Sequence, residues 1–188
     1  MPQPVTGSIA VIASFRQHYE AAQQAVGVFR DGGLTVTSPL GDDIVEAGIE
    51  FVRFTSDREE WSSARVQTLA LHRILRAELV YVVAPCGYVG RTTCYEIGRV
   101  VQANRPLYFS ERPADLPVHL SGSHVLGPID LIQRLQSAAP APLYCYEDGD
   151  PAAWVPRLPA GHYLAVLPGA PPLHRPTGSP GSRGSTRL

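Results

Sequence analysis

The chain has almost no net charge, because 16 Lys and Arg stand against 17 Asp and Glu, giving -1 at neutral pH. The two signs are interspersed, which leaves no electrostatic footprint for a nucleic acid polymer or an anionic membrane surface and makes a small molecule the expected partner. Long apolar runs are also missing. Nothing approaches the roughly 20 apolar residues that a spanning helix requires, and residues 1–7 lack the basic region and apolar stretch of a secretory signal, so a cytoplasmic location is expected. Cysteine is scarce. Cys86, Cys94 and Cys145 are odd in number and widely spaced, which fits neither a disulfide framework nor a Cys-x-x-Cys metal site, so reduced thiols are expected, with no metal and no cofactor.

What is present is enough apolar material for one core: 44% of 188 residues are hydrophobic, too little chain for two ordinary domains. Residues 1–139 are expected to form the domain. From Pro140 prolines dominate, and 140–167 reads as an extension in which Tyr144, Tyr146, Trp154, Tyr163 and Leu164 offer surface for packing. Residues 168–188 are nearly all Pro, Gly, Ser, Arg and Thr. Such a stretch buries too little apolar surface to offset its ordering entropy and is expected to be disordered.

The hydrophobic pattern predicts the elements. Ser8 to Ala13 (SIAVIA) reads as a strand, Tyr19 to Arg30 as a helix stopped at Gly32-Gly33, and Leu34 to Thr37 as a strand ended by Ser38-Pro39. Gly41 to Phe54 is irregular, with one short extended piece at Phe51 to Phe54. Ser56 and Glu59 have capping-box spacing ahead of a helix through Trp61, Ala64, Leu69 and Ile74 to Arg76. Leu79 to Ala84 (LVYVVA) is the near-continuous apolar run of a central parallel strand. A glycine loop, a helix over Thr92 to Ala103, a strand over Pro106 to Phe109 and an amphipathic helix over Gly127 to Ser137 through Ile129, Ile132 and Leu135 complete the series. The alternation predicts an α/β fold, a doubly wound, flavodoxin- or Rossmann-like, mainly parallel five-stranded sheet with helices on both faces.

In such sheets ligands bind beyond the carboxyl ends of the strands, which makes the segments 13–18 and 85–96 neighbours in space. Gly87 and Gly90 let backbone approach a ligand, beside Tyr88, and the amides of Arg91, Thr92 and Thr93 at a helix start suit phosphate or sugar oxygens. Loop geometry alone accounts equally for the glycines. Glu96, placed in the first turn of that helix, is expected to be held ionised by the dipole, as a nucleophile or base or simply as dipole complementation. Ser14, Thr92 and Thr93 are candidate hydroxyl donors or ordinary caps. Phe15 stacks on a base, lines a sugar pocket or fills core, and Arg16 contacts phosphate or a base edge or is solvated.

The run 77–85 (AELVYVVAP), followed by Gly87-Tyr88-Val89-Gly90 and by Thr93-Cys94-Tyr95-Glu96-Ile97-Gly98, resembles the nucleoside 2-deoxyribosyltransferase-like superfamily. That group includes deoxyribosyltransferases and N-glycosidases of nucleoside 5'-monophosphates. The resemblance spans Ser8 to Leu116, and Ser14-Phe15-Arg16-Gln17 is similar to the Phe-Arg-Gln loop of hydrolases of cytidine-type monophosphates. It implies that the Glu96 carboxylate attacks the anomeric carbon in the manner of a retaining glycosidase. It also implies a homodimer or larger homo-oligomer whose subunits complete one another's sites. The chain departs from the family at Ala70, where relatives carry an Asp eight residues before the acid opening the central strand, here Glu78. His72 is the nearest titratable substitute for acid or base work, although two helical residues turn it about 200° away. Three readings stay open: N-glycosidase, deoxyribosyltransferase, and a non-catalytic nucleotide-binding or sensor module. Thiol chemistry at Cys86 ranks last, for want of a base partner.

Overall fold

A computed structural model of the chain describes residues 5–40, 44–46, 53–54, 58–116 and 120–137. The chain divides after Asp148, and all of these residues belong to the part before that point. The extension at 140–167, the tail at 168–188, Cys145 and the Ser56 cap therefore lie outside the described residues.

Apolar, β-branched Ser8–Ala13 forms β1, followed by α1 (Phe15–Asp31), β2 (Thr35–Ser38) and two short strands, β3 (Ile44–Glu46) and β4 (Arg53–Phe54). Then come α2 (Ser63–Arg76), β5 (Leu79–Val83), a single 3-10 turn at Pro85–Gly87, α3 (Arg91–Gln102), β6 (Leu107–Phe109) and α4 (Pro128–Gln136). The principal sheet has four parallel strands in the order β2-β1-β5-β6. Beyond β6, one isolated parallel bridge joins Phe109 to Val125. β3 and β4 pair antiparallel as a separate ribbon.

Every residue of β5 is buried, as its unbroken apolar sequence demands, and alternate residues feed two cores. Ile9, Val11, Ala13, Tyr81 and Val83 pack with Ala22, Val26 and Phe29 of α1 and Leu131 of α4. Ala10, Ile12, Val80 and Val82 pack with Ile74 of α2 and Ile97 and Val100 of α3. Full burial of one such aliphatic side chain contributes about 1.5–3 kcal/mol, so the paired cores dominate the stability of the sheet. Phe29 meets Tyr81 edge to face at 4.9 Å. The buried Tyr81 hydroxyl donates to the Leu126 carbonyl at 2.9 Å, tying β5 to the segment that leads into α4. Opposite the carboxyl ends of the strands, the Ser8 amide donates to Glu78 Oε2 at 3.2 Å while the Glu78 amide donates to Ser8 Oγ at 3.1 Å.

Two helix starts and one buried face differ from the sequence expectation. α1 begins at Phe15, four residues early, with non-helical His18 (φ -126°, ψ 35°) as a kink between its two parts. α2 is capped by Ser62, whose hydroxyl accepts from the Arg65 amide at 3.3 Å. Trp61 lies outside that helix, with the guanidinium groups of Arg65 and Arg58 over its ring at 5.2 and 5.7 Å. In α4, Leu131 is the buried residue, with Ile132 and Leu135 packed beside it. Ile129, two residues and about 200° from Leu131, is 61% exposed.

Candidate functional site

A cavity of about 190 Å³ opens at the carboxyl ends of β1 and β5. From β1 and the start of α1 it takes Ala13, Ser14, Phe15 and Arg16; from the loop into α3 it takes Tyr88, Val89, Gly90, Arg91, Thr92, Thr93 and Glu96. The two segments that the strand-loop-helix pattern pairs thus meet in one place. Ser38 at the end of β2, Pro39 and Leu40 after it, Phe54 of β4, and Ala70 and Arg73 of α2 add to the wall. Phe15 and Phe54 meet edge to face at 5.2 Å, so the small ribbon contributes an aromatic side to the cavity.

Glu96 is not in the first turn of its helix. α3 starts at Arg91, and its first turn holds no acid. One turn further in, the Glu96 side chain reaches the cavity, where burial pushes its carboxyl up to about 7. Desolvation therefore outweighs the dipole that the sequence suggested would hold it ionised. Among the described residues no hydrogen bond or ion pair holds this carboxylate. It is the single carboxyl on the described cavity wall, which also includes Arg16, Arg73 and Arg91.

The loop before α3 is shaped by the segment after β6. Asp115 accepts from the amides of Val89 and Gly90, and Glu111 accepts from the amide of Cys86. Gly87 lies off the cavity wall. Its φ is +76°, and a Cβ there would sit 2.8 Å from the Arg112 carbonyl oxygen and 2.9 Å from the Ala114 nitrogen, so close packing, not ligand approach, requires glycine. Gly90, at φ +80°, is the N-cap of α3 and makes no side-chain cap. Its carbonyl accepts from the Cys94 amide, and the amides of Arg91, Thr92 and Thr93 are the ones a helix start leaves without intrahelical acceptors. Those three residues line the cavity, which makes this end suitable for an anion.

Ser14 caps α1 through its carbonyl, which accepts from Gln17 and His18; its hydroxyl makes no capping bond. Thr93 is buried and Thr92 half-buried. Tyr88 is 39% exposed and meets the His18 ring edge-on at 5.8 Å. His72 is not brought to the site. It is exposed and lies in a separate groove with Leu71, Leu75, Tyr95 and Arg99, because its position on α2 is rotated away from Ala70. Cys86 is exposed and off the cavity wall.

Sequence reasoning missed Arg73, Phe54 and Asp115. Arg73 lies one helical turn from Ala70, so the periodicity of α2 contained it. Asp115 carried no local signal, since its partners are 25 and 26 residues away. Among the described residues no group of three or more His, Cys, Asp or Glu side chains is placed to hold a metal ion, and no helix is long and apolar enough to cross a membrane.

Comparison of the chain with known protein families, with curated proteins and with solved structures gives no match.

Proposed function

We propose that the protein is an N-glycosidase that cleaves the base-sugar bond of a nucleoside 5'-monophosphate, or of a nucleoside, through a glycosyl-enzyme formed on Glu96. The observation that carries this reading is the pairing, on one cavity wall, of a carboxyl that no described residue holds with three arginines and a helix start. The phosphate is seated at the amides of Arg91, Thr92 and Thr93, with Arg16 and Arg91 as counter-charges. Phe15 and Phe54 flank the base. Glu96 Oε attacks C1' as the base departs, and water then attacks C1' to release the sugar phosphate and restore the carboxylate. The same reading assigns the chain to the nucleoside 2-deoxyribosyltransferase-like superfamily. It also takes the sheet as the core of a doubly wound, five-stranded fold and the working form as a cytoplasmic homo-oligomer.

A second base in place of water would make the same site a deoxyribosyltransferase. Ala70 favours a further reading, a nucleotide-binding module without turnover, because it gives the wall a methyl group where a second acid would serve catalysis. The deciding experiment is chromatographic detection of free base from a panel of nucleosides and 5'-monophosphates, with and without an acceptor base. Base release that Glu96→Ala abolishes supports the glycosidase, and release that needs the acceptor supports transfer. Binding without release from any compound overturns both enzymatic readings.

A further inference from the structure

A buried polar atom without a hydrogen-bond partner is uncommon in a folded chain and costs stability until something satisfies it. His18 carries such an atom: its ring Nε2 is shut off from solvent and makes no hydrogen bond. The residue stands at the kink of α1, between the first turn, whose Phe15 and Arg16 line the cavity, and the part whose Ala22, Val26 and Phe29 pack on the sheet. Its amide donates to the Ser14 carbonyl at 2.9 Å, which ties it to the cavity-lining turn. Nε2 is an unused donor in one tautomer of the neutral ring and an unused acceptor in the other.

Against the imidazole lies Tyr88, the two ring centroids 5.8 Å apart and the planes at 65°. The same phenol reaches over Gly90, the N-cap of α3: a Cβ at Gly90 would sit 3.2 Å from the Tyr88 hydroxyl and 3.3 Å from its Cε1. One side chain of the cavity wall thus touches both the histidine and the entrance to the helix. The Tyr88 ring is exposed, and no hydrogen bond from a described residue holds its hydroxyl. Packing alone keeps it in place, and an exposed side chain of that kind changes rotamer readily.

We propose that Tyr88 is a movable cover and that His18 is an anion-reading residue beneath it: the anionic group of the ligand displaces the phenol from Gly90, and the His18 Nε2–H donates to one of its oxygens. On the proposed function, on which this inference rests, that group is the 5'-phosphate. The pair then makes the site select nucleoside 5'-monophosphates over nucleosides, because a nucleoside brings nothing that repays the displacement of Tyr88 or satisfies Nε2. His18 acts on binding, through the phosphate, and takes no part in breaking the base-sugar bond.

The test uses the full chain with isotope-labelled histidine, at fixed pH in a phosphate-free buffer, titrated with inorganic phosphate, with uridine and cytidine, and with their 5'-monophosphates. The His18 ring signal is assigned by its loss in His18→Gln. Inorganic phosphate and a bound monophosphate are each expected to shift that signal, and a nucleoside to leave it in place. His18→Phe keeps a ring against Tyr88 but has no donor; it is expected to weaken calorimetric affinity for the monophosphate about tenfold, the scale of one hydrogen bond to a charged acceptor, with nucleoside affinity little changed. His18→Gln, which offers an amide N–H in place of Nε2–H, is expected to recover part of that loss. Tyr88→Ala is expected to raise affinity for inorganic phosphate a few-fold, since the covered state no longer competes with binding. A His18 signal unmoved by saturating phosphate overturns the proposal, as does His18→Phe binding monophosphate as tightly as the wild type; weaker phosphate binding by Tyr88→Ala makes the phenol a ligand contact and overturns the cover. If His18→Phe fails to fold, the wild-type titration and His18→Gln decide. Base release that Glu96→Ala abolishes, with His18 silent, keeps the glycosidase and removes this inference; a His18 response to phosphate with no release from any compound keeps the anion contact and removes the enzyme.

Discussion

Both carboxylate oxygens of Asp115 accept from the backbone amide of Val89, at 3.0 and 3.2 Å, and one of them also accepts from Gly90 at 3.1 Å. An exposed acid on one loop thus fixes the entrance to α3, and through it the direction in which Glu96 projects.

Asp115→Ala should loosen that entrance. The bonds are part-buried or exposed, so the expected loss of stability is about 1 kcal/mol, measurable by urea unfolding. On the proposed function, base release should suffer more than stability does, with the greater share in kcat. Asp115→Asn keeps one acceptor and should fall between the two.

Glu96 links the cavity to pH. Its folded-state value, about 7, lies above the ordinary 4.5, so the folded protein binds the proton more tightly than the unfolded chain does. The stabilisation is fully present below pH 4.5 and is lost as pH rises through about 7, a span worth on the order of 3 kcal/mol. Glu96→Gln cannot ionise. Its melting temperature should exceed that of the wild type at pH 8, with the gap closing towards pH 5; a gap independent of pH would show that the carboxyl is not desolvated. For an attacking carboxylate, kcat/KM should rise through about pH 7 in the wild type.

Gly87→Ala places a Cβ within 3 Å of the backbone at Arg112 and Ala114, at a positive φ. The expected cost is about 1–3 kcal/mol, read from denaturant midpoints. Gly98, where a Cβ meets nothing within 4 Å, is the control: Gly98→Ala in the helix interior should stabilise by roughly 0.5–1 kcal/mol.

His72→Ala should leave base release and its pH profile unchanged, because the ring lies in the groove with Leu75, Tyr95 and Arg99. A lost limb in the profile would place the imidazole in the reaction after all.

Much of this architecture was legible in the sequence. β5 announces itself because a strand covered on both faces has no polar positions to blur the pattern, and β1 is read from end to end for the same reason. Positions that depend on partners distant in sequence were not legible. Ser62 and Ser56 look equally able to cap α2, and only the Arg65 amide distinguishes Ser62. The kink at His18 hides the first turn of α1 from a periodicity count. Glu96 was singled out by an expected place at the helix start and by the resemblance of Thr93 to Gly98, but its charge state was misjudged, since a position along a helix says nothing about how much of the side chain is shut off from water. Arg73 was passed over because a basic residue late in a helix has an ordinary reading as dipole complementation.

The reciprocal clasp between Ser8 and Glu78 joins β1 and β5 at the end of the sheet remote from the cavity. A slip of one residue between those strands would exchange the two cores and carry the cavity loops out of step. Alignment is thus secured where no chemistry is proposed, which leaves the residues after Ala13 and Val83 free to vary without misthreading the sheet. Changes in the cavity loops and changes in strand alignment should therefore be separable: a library built on residues 14–16 and 88–92 can be screened for new ligands with little risk to how the strands pair.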